Sequence, residues 1–139
     1  MIPKWIASLI AGEPVFINGD GETSRDFCYV DNAIQANILA ALTNNADALN
    51  QVYNIAVSER TTLNQLYEMQ RSMLAPTFSH LAKVRPTYRA FREGDVRHSQ
   101  ADISKAARLL GYRPTHHLAD GLAQALEWYV KDAKRAPPS

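Results

Sequence analysis

Asn18-Gly19-Asp20-Gly21-Glu22-Thr23-Ser24-Arg25-Asp26-Phe27-Cys28-Tyr29-Val30-Asp31 decides how the rest of the chain is read. It predicts a tight loop, a charged approach to a strand, an apolar strand and a helix cap. Gly19 and Gly21 let the backbone take positive φ, and Asn, Asp and Gly together are turn chemistry. Arg25 sets a fixed cation beside that loop, which suits a planar or phosphorylated anion coming close to the backbone. An ordinary hairpin turn with a surface Arg–Asp pair fits the same residues.

The chain has 139 residues, enough for one domain. With 46% hydrophobic and 21% charged residues it can form a packed core, which argues against disorder. A net charge of +1 without a basic stripe argues against nucleic acid or an anionic membrane as partner. Cys28 is the single cysteine, so no disulfide forms within the chain, and its apolar neighbours predict a buried thiol. No run is long enough to span a bilayer, and Met1-Ile2-Pro3-Lys4-Trp5 lacks a signal-peptide pattern, so the expected location is cytoplasmic.

Residues 3–11 read as a helix with Trp5, Ile6, Leu9 and Ile10 on one face, ended by Gly12 and Pro14. Val15-Phe16-Ile17 and Phe27-Cys28-Tyr29-Val30 read as short strands, and Asp31 as the cap of a helix lined by Ile34, Ile38, Leu39 and Leu42. Val52-Tyr53-Asn54-Ile55-Ala56-Val57 is apolar on both faces apart from Asn54, as in a strand covered on both sides. Thr62 and Gln65 form a capping box ahead of Leu66, Met69 and Met73, and Pro76 ends that helix. Val84–Pro86 and Tyr88–Arg92 fit an edge strand or an extended loop. Asp102 caps a short helix stopped by Gly111, and Leu118, Leu122, Leu126 and Val130 line a last helix that frays over residues 134–139. The result is an α/β chain of about four helices but only two or three strands, against ~5 in an average sheet. The Val52–Val57 run therefore lacks partners, and either pairs across an oligomer or belongs to something larger.

Several chemistries are excluded. Gly19 and Gly21 have the first spacing of a dinucleotide fingerprint, but position 24 is Ser and a strand is expected to follow. There is no phosphate loop ending Gly-Lys-Ser/Thr and no Gly-x-Ser-x-Gly elbow. His80, His98, His116 and His117 do not have metal-ligand spacing. No tyrosine has a lysine four residues on, the pairing that alcohol oxidation by nicotinamide would use. A second charged cluster, Arg92-Glu93-Gly94-Asp95-Val96-Arg97-His98-Ser99, places an arginine and a carboxylate around another turn glycine. Arg25, Arg92 and Asp95 together suffice for the diphosphate and ribose of a nucleotide. A solvated loop with local ion pairing, worth under ~1 kcal/mol, fits as well.

These residues resemble those of the extended short-chain dehydrogenase/reductase family, in its nucleotide-sugar epimerases and dehydratases. The resemblance is carried by Asn18-Gly19-Asp20-Gly21-x3-Arg25-Asp26-Phe27-x-Tyr29-Val30-Asp31, Val52-Tyr53-Asn54-Ile55, Thr61-Thr62-Leu63, Arg92-x-Gly94-Asp95 and Leu109-Leu110-Gly111-Tyr112-x-Pro114. The string Gly94–Ser99 is similar to the UDP-N-acetylglucosamine/UDP-N-acetylgalactosamine 4-epimerase branch, of the kind that serves bacterial O-antigen and capsule synthesis. The resemblance implies a small C-terminal substrate-binding domain over residues 1–133 that lacks the NAD-binding Rossmann domain, the Ser/Thr–Tyr–Lys catalytic set and most of the parallel sheet, with Val52–Val57 contributing a strand to that sheet. It implies Arg25 and Arg92 on the diphosphate, Asp95 on the ribose, and Trp5, Phe16 and Asn18 around the uracil. Arg60 is placed near the nucleotide, and Ser99 where the sugar's 2-substituent is gated, a small residue leaving room for N-acetyl.

The resemblance assigns no catalytic residue to this chain and no cofactor to it alone, NAD belonging to the intact family. It is expected to hold UDP-sugar weakly, to be an epimerase part that is inactive by itself, and to partner a Rossmann-domain chain or a second copy. A free-standing interaction or dimerisation module, or a remnant that folds without function, are the alternatives. The first two predict an exposed apolar face near Val52–Val57 and the first helix.

Overall fold

The computed structural model describes residues 1–135. Its first helix, α1 (Ile2–Ala11), ends where Gly12 turns left-handed at φ 73°, which lets the Gly12 and Glu13 N–H groups close back onto Leu9 and Ser8. A strand follows, β1 (Phe16–Asn18), and the glycine turn leads into β2 (Ser24–Arg25). Next come α2 (Val30–Leu42), β3 (Thr61–Thr62), α3 (Leu63–Leu74), β4 (Thr87–Arg89), α4 (Ser104–Leu110) and α5 (Leu118–Arg135). The described residues thus form an α/β fold of five α-helices and two small sheets. β1 runs parallel to β4, pairing Phe16 with Thr87 and Asn18 with Arg89, and β2 runs antiparallel to β3. Residues 136–139, part of the segment expected to fray, lie outside the described residues. Among the described residues no helix is long and apolar enough to cross a membrane.

The main core joins α1, β1, α3 and α5 through Trp5, Ile6, Leu9, Ile17, Leu66, Leu74, Leu122 and Leu126. Its position matters for function: it fixes the outer faces of α1 and β1, where the cleft described below opens. The expected capping box is present, with Gln65 N–H donating to Thr62 Oγ1 at 3.1 Å and Thr62 N–H to Gln65 Oε1 at 2.9 Å.

A second, smaller core is built on Ala36, Ala106 and Tyr112, with Tyr53 and Ile55 against it. Tyr112 is fully buried and its hydroxyl donates to Ala56 O at 2.8 Å. Burial pushes this hydroxyl up to about 12, and the neighbouring Cys28 adds to the shift. The folded state therefore favours the neutral phenol, whereas the unfolded chain ionises near ~10. Stability is complete below that pH and falls as pH rises from ~10 towards about 12. Urea midpoints measured across that alkaline window should fall less steeply in Tyr112→Phe than in the parent; equal slopes would remove Tyr112 as the cause.

Three sequence expectations are corrected. Residues 27–29 are not a strand: they carry no ladder, and helix α2 already begins at Val30. Asp31 consequently lies in the first turn of α2 and does not cap it. Cys28 is exposed, not buried. Residues 52–57, expected to lack partner strands in this chain, pair with none among the described residues; the run is tethered by side chains, Lys105 Nζ to Val52 O at 3.1 Å and Val57 N–H to Asp26 Oδ1 at 3.2 Å.

The apolar surface also differs from expectation. α1 is covered by the main core, whereas α2 buries Asn32 and Ala36 and turns Val30, Ile34, Ile38 and Leu42 outward at 48–74% exposure. That stripe repeats every four residues, so it is one continuous face. Leu49 and Val52 are also exposed, Val52 at 86%.

Candidate functional site

The glycine turn is shaped by its neighbours. Gly19 and Gly21 sit at φ +76° and +78°, and a Cβ on Gly21 would lie 1.9 Å from Asn64 Oδ1. Asn64 occupies that space for a reason. Its amide donates to Asp20 O at 3.1 Å and Glu22 Oε1 at 2.7 Å, its Oδ1 accepts from the Tyr88 hydroxyl at 2.9 Å, and its N–H donates to Gly21 O at 3.0 Å. One side chain thus ties the turn to α3 and β4. Asp20 meets Arg97 at 2.7 Å, and that guanidinium holds the Asp20 carboxyl below the usual carboxylate range.

The second charged cluster docks on the first. Ser24 N–H donates to Arg97 O at 2.9 Å, Ser99 N–H donates to Ser24 O at 3.1 Å, and Ser24 Oγ lies 2.9 Å from His98 Nδ1. Residues 97–99 therefore lie along one edge of β2, with β3 on the other. This brings Arg25 to Asp95, 2.6 Å apart. Arg25 Nη1 also donates to Ser24 O at 2.8 Å and Val96 O at 2.6 Å. Of the five N–H donors of a guanidinium, these bonds leave two free in a fixed orientation. Gly94, at φ +76°, makes the turn that presents Arg92 on the same side.

Trp5, Phe16, Asn18, Arg25, Arg92 and Asp95 line one cleft of about 490 Å³, with Lys4 and Arg89 among its other walls. Four cations against one carboxylate, set beside an aromatic ring and turn backbone, suit an anion that carries a planar group. Arg60 and Ser99 are not among the lining residues; Ser99 takes part through its backbone N–H. The sequence reasoning missed Lys4, Asn64 and Arg89. Arg89 was findable, because it stands three residues before Arg92 on an exposed strand; Lys4 and Asn64 carry no signal without the fold. No cluster of three metal-ligating side chains occurs among the described residues.

The model of the NAD dependent epimerase/dehydratase family matches residues 1–56. A UDP-glucose 4-epimerase from Thermotoga maritima, solved with UDP-glucose, is 34% identical at a TM-score of 0.83, over 95% of this chain and 40% of that one. A UDP-N-acetylglucosamine 4-epimerase from Methanobrevibacter ruminantium, solved with UDP-N-acetylmuramic acid, is 33% identical at 0.82, over 95% and 39%. A UDP-glucuronic acid 4-epimerase from Bacillus cereus, solved with UDP-glucuronic acid and NAD, is 29% identical at 0.76, over 95% and 40%. The chain spans under two-fifths of the length of the first curated relatives it matches. The family model, the curated relatives and the solved folds agree: the chain is similar, over nearly its whole length, to one part of NAD dependent epimerase/dehydratase enzymes.

Proposed function

We propose that this chain is the nucleotide-sugar-binding part of an NAD-dependent UDP-N-acetylglucosamine 4-epimerase of surface-polysaccharide synthesis, and that it does not catalyse epimerisation by itself. The observation that carries the reading is the convergence of Arg25, Arg92 and Asp95 beside Phe16 in one cleft, from segments about 70 residues apart. Arg25 and Arg92 hold the diphosphate, as charge-assisted donors do. Asp95 keeps Arg25 oriented through one oxygen and offers the other to a ribose hydroxyl. Trp5 and Asn18 flank the base. Arg60 approaches the nucleotide from outside the cleft, and the small Ser99 leaves room for an N-acetyl group.

NAD, when bound, supplies hydride transfer. The residues of this chain do not fit it: the glycine turn feeds β2, so its N–H groups are not backed by a helix N-terminus as a dinucleotide cradle requires. The bare face of α2 supports the view that another body, either a Rossmann-domain chain or a second copy, completes the site. The same face supports a second reading, an epimerase-derived interaction module without enzymatic activity.

Calorimetric titration with UDP separates the two. Binding should be weak, and Arg92→Ala should reduce it about tenfold or more, as expected for a lost charge-assisted bond. Silence at millimolar UDP, or an unchanged affinity in the variant, would reject the nucleotide site and leave the interaction reading. Turnover of UDP-N-acetylglucosamine by the purified chain with added NAD would reject the claim of inactivity.

A further inference from the structure

Arg89 does not point where its register suggests. Its backbone pairs with Asn18, yet its guanidinium lies over the ring of Phe16, two residues back on the same face of β1, with Cζ 3.3 Å from the ring centroid. Among the described residues its side chain has no hydrogen bond and no ion pair. Three forces account for this position. The guanidinium is planar and weakly hydrated, so an aromatic face attracts it. Lys4, Arg25 and Arg92 line the same cleft and disfavour a further free cation beside them. Asp95, the one carboxylate in the lining, is already taken by Arg25.

We infer that Arg89 is the direct platform for the nucleobase, which stacks on the outer face of its guanidinium as the third layer of a Phe16–Arg89–base pile. This rests on the nucleotide site proposed above and alters it at one point: Phe16 does not touch the base but holds the residue that does. Any flat ring entering over Phe16 meets the guanidinium first. Stacking on it keeps the cation–ring contact, whereas displacing it gives that contact up. Bases do stack on arginine planes as they do on aromatic rings. Such a layer selects for a flat face and not for a particular pattern of base edges. The relatives fit that tolerance, since they include both UDP-sugar and dTDP-sugar enzymes.

The test titrates UDP and inorganic pyrophosphate separately into the parent chain, Arg89→Lys and Arg89→Ala. Lysine keeps the charge and removes the plane. Arg89 is exposed on a strand whose backbone pairing is untouched, so both variants should fold. UDP affinity should fall about tenfold in Arg89→Lys, the size of one lost base stack, with pyrophosphate affinity unchanged. An equal fall for both ligands would overturn the pile and make Arg89 a phosphate contact. Unchanged UDP affinity in Arg89→Lys, or tighter UDP binding in Arg89→Ala, would return the base to Phe16 itself. A parent chain silent to UDP would reject the nucleotide site and the pile together. A parent that binds UDP while Arg89→Lys matches it would reject the pile alone.

Discussion

Replacing Asn32 with alanine is expected to destabilise the chain by about 3 kcal/mol. Asn32 is fully buried on α2. Its Oδ1 accepts from Thr115 N–H at 2.9 Å and His116 N–H at 3.1 Å, while its Nδ2 donates to His116 O at 2.7 Å. One amide therefore satisfies three backbone groups of the link between α4 and α5. Alanine strands all three, and each buried unpaired group costs about 1–3 kcal/mol, reduced where water can enter. In a chain of this size the loss lowers the thermal midpoint by roughly 10 °C. Asn32→Asp should do no better: it retains the acceptors, loses the donor to His116 O, and buries a charge. Thermal and urea unfolding followed by circular dichroism read both variants. A loss under ~1 kcal/mol in Asn32→Ala would mean that solvent already reaches the link.

Asn32 also shows where sequence reading stops. In a helix with Ile34, Ile38 and Leu42 at four-residue spacing, periodicity puts the isoleucines inside and the asparagine outside. The reverse holds here. Periodicity identifies a face that some surface must cover, and in a chain spanning two-fifths of a relative that surface is not among the described residues. The same reason explains residues 52–57, whose strand-like composition finds no partner strand. Local signals fared better because their partners are local: the capping box of α3, Gly12 and Gly111 as left-handed stops, and the Trp5–Ile6–Leu9 face of α1 are all present. The cleft lies between these cases. Arg25, Arg92 and Asp95 stood out as residue types beside turn glycines. The hydrogen bonds of Ser24 to residues 97–99, which bring them together, left no trace in the sequence.

Replacing Asp26 with asparagine is expected to lower stability by about 2–3 kcal/mol and to weaken UDP binding as well, which no purely local surface pair would do. Beside Arg25 in sequence, Asp26 looks like half of an ion pair, but Arg25 is held by Asp95. The Asp26 carboxylate instead accepts three backbone N–H groups: Val57 at 3.2 Å through Oδ1, and Ser58 at 3.0 Å and Ala101 at 3.2 Å through Oδ2. It thereby fastens three segments distant in sequence, and it supports Ser58 at φ 60°, a left-handed conformation that a serine seldom takes. Asparagine has one acceptor oxygen. Whichever way the amide turns, its NH2 faces at least one backbone N–H, so a donor meets a donor and the Ser58 turn loses support. The strain reaches Arg25, one residue away, whose remaining donors depend on a fixed backbone. Asp26→Asn should therefore shift the urea midpoint and also weaken UDP binding by several-fold, with Arg25→Ala losing affinity at little cost to the fold. If Asp26→Asn kept parent stability, the three N–H groups would have another acceptor in solution. If it lost stability yet bound UDP normally, Arg25 would be held by Asp95 and Val96 alone.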